Sequence, residues 1–237
     1  VDIDAGQRER LAATYGIKVW PAIADVAHEA DTVVLAVKPQ HMRAAAEALR
    51  PRLKGQLVLS IAAGIRTEDL GRWLGGYGRI VRVMPNTPAL VRAGISGLFA
   101  CAAVSSAERE RAEAVLAAVG ETVWVEREEQ IDAVTAVSGS GPAYVFYFIE
   151  ALGQGALDLG FDAAQARQLA LGTFAGAIAL AQASSEDVAT LRERVTSKGG
   201  TTERALMAWN HVRVAAAIVK AVQAAMQRAG VLGEELG

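Results

Sequence analysis

The segment Val195-Thr196-Ser197-Lys198-Gly199-Gly200-Thr201-Thr202 runs directly into a long apolar helical stretch, and its residue types suit the capture of a small anion. Gly199 and Gly200 let the backbone fold close around a ligand, hydroxyls on either side donate hydrogen bonds, and the helix behind presents unpaired N–H groups at its positive end. Such a loop is a seat for a carboxylate. Three further compact segments could carry chemistry: Leu35-Ala36-Val37-Lys38-Pro39-Gln40, Val83-Met84-Pro85-Asn86-Thr87-Pro88 and Ser138-Gly139-Ser140-Gly141-Pro142-Ala143-Tyr144. Lys38 can meet a phosphate or ribose oxygen while Pro39 fixes the turn, but the same pair also reads as a helix-starting proline beside a solvated lysine. Asn86, bracketed by prolines, offers a donor and an acceptor together; a nicotinamide carboxamide needs that set, and an ordinary Asn turn uses it too. In the 138–144 segment Pro142 suits a first helical turn, and the glycines suit close packing against neighbouring backbone.

In this order the four segments resemble pyrroline-5-carboxylate reductase, and the resemblance spans essentially the whole chain. It implies reduction of 1-pyrroline-5-carboxylate to L-proline, the last step of proline biosynthesis, with NADPH or NADH as the cofactor. Val37, Lys38 and Pro39, together with Ala63 in the strand end Ser60-Ile61-Ala62-Ala63-Gly64, are thereby implied to bind the cofactor, and Asn86 joins them. The resemblance further implies that Ser197, the amides around Gly200 and Thr201, and Thr202 hold the carboxylate and ring nitrogen of the substrate, with Thr202 as the catalytic residue that orients the nitrogen. By the same resemblance Glu186 matches, with a one-residue offset, an acidic position near the substrate, and the 138–142 loop is implied to form a wall near the nicotinamide. Two positions depart from the family's pattern: Lys198 stands where many relatives have proline, and Ile23 where they often have Asn. A protonated cyclic iminium is already electrophilic, so alignment with the hydride donor matters more than acid–base groups. His28, His41 and His211 accordingly lie in helical stretches outside any catalytic motif and are read as structural or exposed; no metal is implied.

These segments need a scaffold, and the sequence supplies one in two parts. From 17 to 125 short β-branched runs alternate with amphipathic stretches, which predicts a parallel sheet flanked by helices, with strands at 17–19, 32–37, 56–61, 79–83, 95–101 and 122–125. Ser105 and Glu108 form a capping box before the helix at 112–119, and Thr67, Glu68 and Asp69 open another that ends near Leu74. Beyond 131 the pattern changes to helical runs at 142–159, 163–183, 186–194 and 202–229. The expectation is an α/β, Rossmann-like dinucleotide-binding domain over 1–133 and an all-helical substrate and dimerisation domain over 134–237. The chain shows no Gly-x-Gly-x-x-Gly fingerprint, so the encoded protein is expected to carry about 30 further residues upstream containing it. Asp2 and Asp4 lie near the predicted end of a second strand, where an acidic residue favours NADH, whereas the family's habit favours NADPH.

A net charge of −2 without a basic stripe argues against a nucleic-acid partner. The lone cysteine, Cys101, sits in an apolar run as a small hydrophobe, consistent with the cytoplasm. The most apolar stretch, 169–181, is too short for a membrane span of about 20 residues and reads as a buried helix covered by a second copy of the chain, a homodimer; the resemblance implies that such dimers gather into a larger ring. Rival readings are a β-hydroxyacid dehydrogenase and a non-catalytic dinucleotide-binding module. The former wants a lysine general acid on the first long helix of the second domain, and no lysine occurs between Lys54 and Lys198.

Overall fold

The computed structural model describes residues 1–23 and 30–237, so His28 lies outside the described residues. The chain divides into two compact units, the first formed by Val1–Ser140 with Ala225–Gly237 and the second by Gly141–Ala224. The expected boundary at 133 falls inside the first unit. Residues just beyond it stay with the sheet because the Arg82 guanidinium bonds Asp132 and the Asn86 amide bonds the Ser138 carbonyl. The end of the chain belongs there too, with Leu236 packed on the sheet's core.

Unit 1 opens with α1 (Ala5–Tyr15), capped by the Asp4 carboxylate and stopped by left-handed Gly16. Strands β1 (Thr32–Leu35), β2 (Leu57–Ser60), β3 (Ile80–Met84), β4 (Gly94–Ala100) and β5 (Gly120–Trp124) form one sheet in that order. Helices α2 (Pro39–Leu49), α3 (Thr67–Trp73) and α4 (Ser106–Ala117) make crossovers, and α5 (Gln130–Val134) follows β5. The pairs β1–β2, β2–β3 and β4–β5 are parallel, but β4 runs antiparallel to β3, so the expected all-parallel sheet is corrected at that pair. The physical reason is connection length: a parallel return needs a crossover of a dozen or more residues, and only a short 3-10 turn, Thr87–Val91, lies between Met84 and Gly94. The strand expected at 17–19 does not form either; this segment is irregular, held near Asp2 by its N–H bond to the Trp20 carbonyl.

Side-chain alternation sorts the sheet's two faces. Val58 and Ile80 join Met42, Ala46 and Leu49 of α2 and Leu70 and Trp73 of α3. On the opposite face Leu57, Leu59, Val81, Val83 and Leu98 pack with Ala112 and Leu116 of α4. Every β2 position is therefore buried, as expected for a sheet covered on both sides. The capping box at α4 is formed as expected, with Ser105 and Glu108 bonded reciprocally.

Unit 2 contains α6 (Gly141–Asp158), α7 (Ala163–Ala183), α8 (Val188–Arg194), α9 (Thr201–His211) and the first half of α10 (Val214–Leu236), whose second half belongs to unit 1. The 138–144 segment opens α6 with Pro142 in the first turn as expected, but its first residues are not a loop: Thr135–Gly139, in unit 1, is a π-helical turn. Ser138 can sit in helix because its hydroxyl donates back to the Val134 carbonyl. Large apolar side chains such as Phe146, Tyr147, Leu169, Leu180, Met207, Trp209 and Val219 are exposed, while Ala166 and Ala170 are the buried residues of α7. Among the described residues no single helix is long and apolar enough to cross a membrane; α9 and α10 pass that test only as a pair, bent by 53°.

Candidate functional site

The registers Leu35↔Ser60 and Ser60↔Arg82 bring β1, β2 and β3 to a common carboxyl edge. Val37, Lys38, Pro39, Ala63 and Asn86 all follow directly beyond it, where open α/β sheets bind ligands. Pro39 does start α2 as its first residue, and Lys38 is the N-cap, with no side chain capping the helix. A lysine at the positive end of a helix is electrostatically unfavourable by itself, and an anion placed there reverses the sign. Lys38 and Val37 are exposed, so a phosphate of a dinucleotide fits this entrance. Ala63 is half-buried and leads into Gly64, whose φ of +76° and close approach to Leu236 keep the turn tight.

Asn86 uses both ends of its amide. Its Oδ1 accepts the Ile95 N–H at 3.0 Å and its Nδ2 donates to the Ser138 carbonyl at 3.2 Å, tying the β3–β4 connection to the π turn. One N–H hydrogen and one lone pair stay available for a carboxamide. Gly139 allows this closeness, since a Cβ there would stand 2.7 Å from the Met84 methyl.

A charged cluster behind this edge carries no motif. Arg82 alternates with Ile80 toward the α3 face and is 3% exposed; it bonds Glu128 at 3.2 Å and Asp132 at 3.1 Å. Glu128 also accepts the Thr67 N–H at 2.7 Å and the Thr67 hydroxyl at 2.6 Å, capping α3 from a distant part of the chain. The signal available in the sequence was an arginine in an otherwise apolar strand, with acids spaced by one helical turn at 128 and 132.

In unit 2 the 196–202 segment forms a tight turn into α9. Gly199 is left-handed with φ +74°, the Gly200 N–H donates to the Ser197 carbonyl at 3.0 Å, and the Thr196 hydroxyl donates to the Arg192 carbonyl at 2.7 Å. Gly200 is the N-cap, so no side chain occupies the helix start. Thr202 is half-buried, Ser197, Lys198 and Thr201 are exposed, and the structure thus brings Ser197, Gly200, Thr201 and Thr202 together at one helix entrance. Glu186 precedes α8 and is ion-paired with Arg194.

Two family models match separate parts of the chain. Residues 128–232 match a family model described as pyrroline-5-carboxylate reductase dimerisation, and residues 3–64 match one described as NADP oxidoreductase, coenzyme F420-dependent. The pyrroline-5-carboxylate reductase of Pseudomonas aeruginosa is 47% identical over 237 residues, covering 100% of this chain and 87% of the relative. The chain belongs to the pyrroline-5-carboxylate reductase family. The reductase of Vibrio alginolyticus is 42% identical over 94% of this chain and 83% of its own length. Among solved structures, the Coxiella burnetii pyrroline-5-carboxylate reductase superposes with a TM-score of 0.92 at 39% identity, over 97% of this chain and 86% of that one. A Plasmodium falciparum pyrroline carboxylate reductase with NADP bound gives 0.85 at 28% identity, over 93% and 84%.

Several ionisable groups of this reductase lie outside the motifs. His41 and His211 are exposed on helices. Cys101 packs between both core clusters, and burial pushes its thiol above the ordinary range. Asp4 caps α1 through the Gln7 N–H at 2.6 Å, and Asp2 accepts the Asp4 N–H at 2.9 Å, so neither carboxylate is free of local structure. Ile23 packs on the α2–α3 core cluster.

Proposed function

We propose that this chain reduces 1-pyrroline-5-carboxylate to L-proline with NADPH or NADH. The observation that carries this reading is the α9 entrance, an uncapped helix start flanked by Ser197, Thr201 and Thr202, in a chain of this family. The substrate carboxylate takes the open N–H groups of the first turn and the Ser197 hydroxyl, which fixes the ring. Thr202 presents its hydroxyl to the ring nitrogen, orients it and shares in its proton supply. The dihydronicotinamide supplies the hydride. Val37, Lys38, Pro39, Ala63 and Asn86 hold the cofactor: Lys38 and the α2 start meet its phosphates, and the remaining Asn86 donor and acceptor meet its carboxamide. Alignment and exclusion of water provide the rate, since the iminium needs no further activation.

The enzyme acts in the cytoplasm on a small molecule as a homodimer, and the dimers gather into a larger ring. The exposed apolar side chains of α6, α7, α9 and α10 support this reading, because a second copy would cover them. Glu186 contributes near the substrate through its Arg194 pair. The test is NAD(P)H oxidation by the purified protein, with proline identified as product. Turnover with 1-pyrroline-5-carboxylate and none with 3-hydroxyisobutyrate is expected; the reverse would refute the assignment. Light scattering at micromolar concentration should show no folded monomer.

A further inference from the structure

Among the described residues, two helices begin with a reciprocal cap. At α4 the Ser105 side chain accepts the Glu108 N–H while Glu108 accepts the Ser105 N–H, and Asp162 with Gln165 does the same at α7. The α9 entrance has only the second half of that arrangement. Its N-cap, Gly200, has no side chain, and its N–H is already given to the Ser197 carbonyl at 3.0 Å. Glu203, at the third helical position, therefore reaches one residue further back and accepts the Gly199 N–H at 2.7 Å. This bond spans the left-handed residue, φ +74°, at which the loop reverses. The turn it closes is tight, since a Cβ on Gly200 would stand 2.5 Å from Ser197 Oγ.

We propose that Glu203 is a positioning residue for the carboxylate seat, holding Ser197 and Gly200 in place through the Gly199 N–H. This rests on the reading of the α9 entrance as the substrate site. Two consequences follow with opposite sign. The bond preorganises the loop, so less ordering accompanies substrate binding. The charge stands beside a seat for another carboxylate, which weakens that binding through like-charge repulsion. Hydrogen bonding and charge separate in two variants: Glu203→Gln keeps an acceptor oxygen and loses the charge, and Glu203→Ala loses both.

The test measures KM for 1-pyrroline-5-carboxylate, KM for NADPH, and amide exchange at Gly199 in the free protein. Glu203→Gln should lower the pyrroline KM by about twofold and keep the Gly199 amide protected. Glu203→Ala should raise that KM about three- to tenfold, with Gly199 exchanging fast and the NADPH KM unmoved. Equal shifts in both variants, or a protected Gly199 amide in Glu203→Ala, would overturn the proposal. A protein that turns over no pyrroline refutes the functional reading instead, and then the exchange data alone decide whether Glu203 holds the loop.

Discussion

Replacing Arg82 by methionine should destabilise the sheet unit far more than any surface substitution. The methionine fills similar volume on the α3 face, so the loss isolates the guanidinium. That group is 3% exposed, and its partners Glu128 and Asp132 are 17% and 12% exposed at the side chain. Removing one partner of a buried ion pair costs about 3–5 kcal/mol, because the remaining charge stays desolvated and unpaired. Two carboxylates are stranded here, yet Glu128 keeps its bonds from the Thr67 N–H and hydroxyl, which holds the cost within that range. For a chain of this length each kcal/mol corresponds to about 2–4 °C in Tm, so a fall of about 6–20 °C is expected. Glu128→Gln, which keeps an acceptor for Thr67, should cost less, and the double variant should cost less than the sum of the two because both report one contact. Thermal and urea unfolding followed by circular dichroism, at one fixed protein concentration, measures all three. An Arg82→Met protein within 1 kcal/mol of wild type, on the order of an exposed pair's worth, would refute the account of this cluster.

Thr202→Ala should lower kcat/KM for 1-pyrroline-5-carboxylate about ten- to a hundredfold, the ratio that corresponds to one hydrogen bond to a charged group, while Ser197→Ala chiefly raises the substrate KM; steady-state kinetics of both variants checks this. Lys38→Glu should raise the NADPH KM and make it less salt-sensitive while leaving the pyrroline KM unchanged, which kinetics at two ionic strengths reads directly. Glu108 is held below the ordinary carboxylate range, first by the Ser105 N–H and also by the Ser105 hydroxyl and the Arg79 charge. Its folded value lies below its unfolded one, so its contribution is complete above the unfolded value near about 4.3 and is lost as pH falls through the folded one. Acid titration by circular dichroism should therefore separate wild type from Glu108→Gln at neutral pH and bring their stabilities together in acid.

Local signals reached the structure where local physics decides it. The α4 capping box is formed by residues three apart, and Pro39 opens α2 as proline does. The tight turn into α9 was legible because Ser197 to Thr202 are contiguous. Of the 138–144 loop, Pro142 does sit in the first turn of α6, but Ser138 and Gly139 end a π-helical turn: serine and glycine favour loops in isolation, whereas here the Ser138 hydroxyl bonds its own helix and Gly139 has no Cβ to meet Met84. Strand direction at β4 depended on the length of the Met84–Gly94 connection, a quantity that alternation of apolar residues does not report. For Arg82 the sequence offered only a charge out of place in an apolar strand: its acids lie 46 and 50 positions away, so only the folded sheet makes the pair. Glu203 carries no motif, and its bond from the Gly199 N–H exists only in the folded turn, where the Gly200 N–H is already taken.

The antiparallel pairing of β3 with β4 also bears on how the chain finds its fold. Parallel neighbours must wait for a helix to form and swing across, whereas strands joined by a short turn can meet by closing a small loop, whose entropic cost is lower. Hairpins form in about 1–10 μs, so β3 and β4 are the first strands able to zip. They also stand in the middle of the order β1-β2-β3-β4-β5. A seed formed there would grow outward, with β2 adding to one flank and β5 to the other, and in the folded chain Asn86 Oδ1 accepts the Ile95 N–H across the turn of this pair.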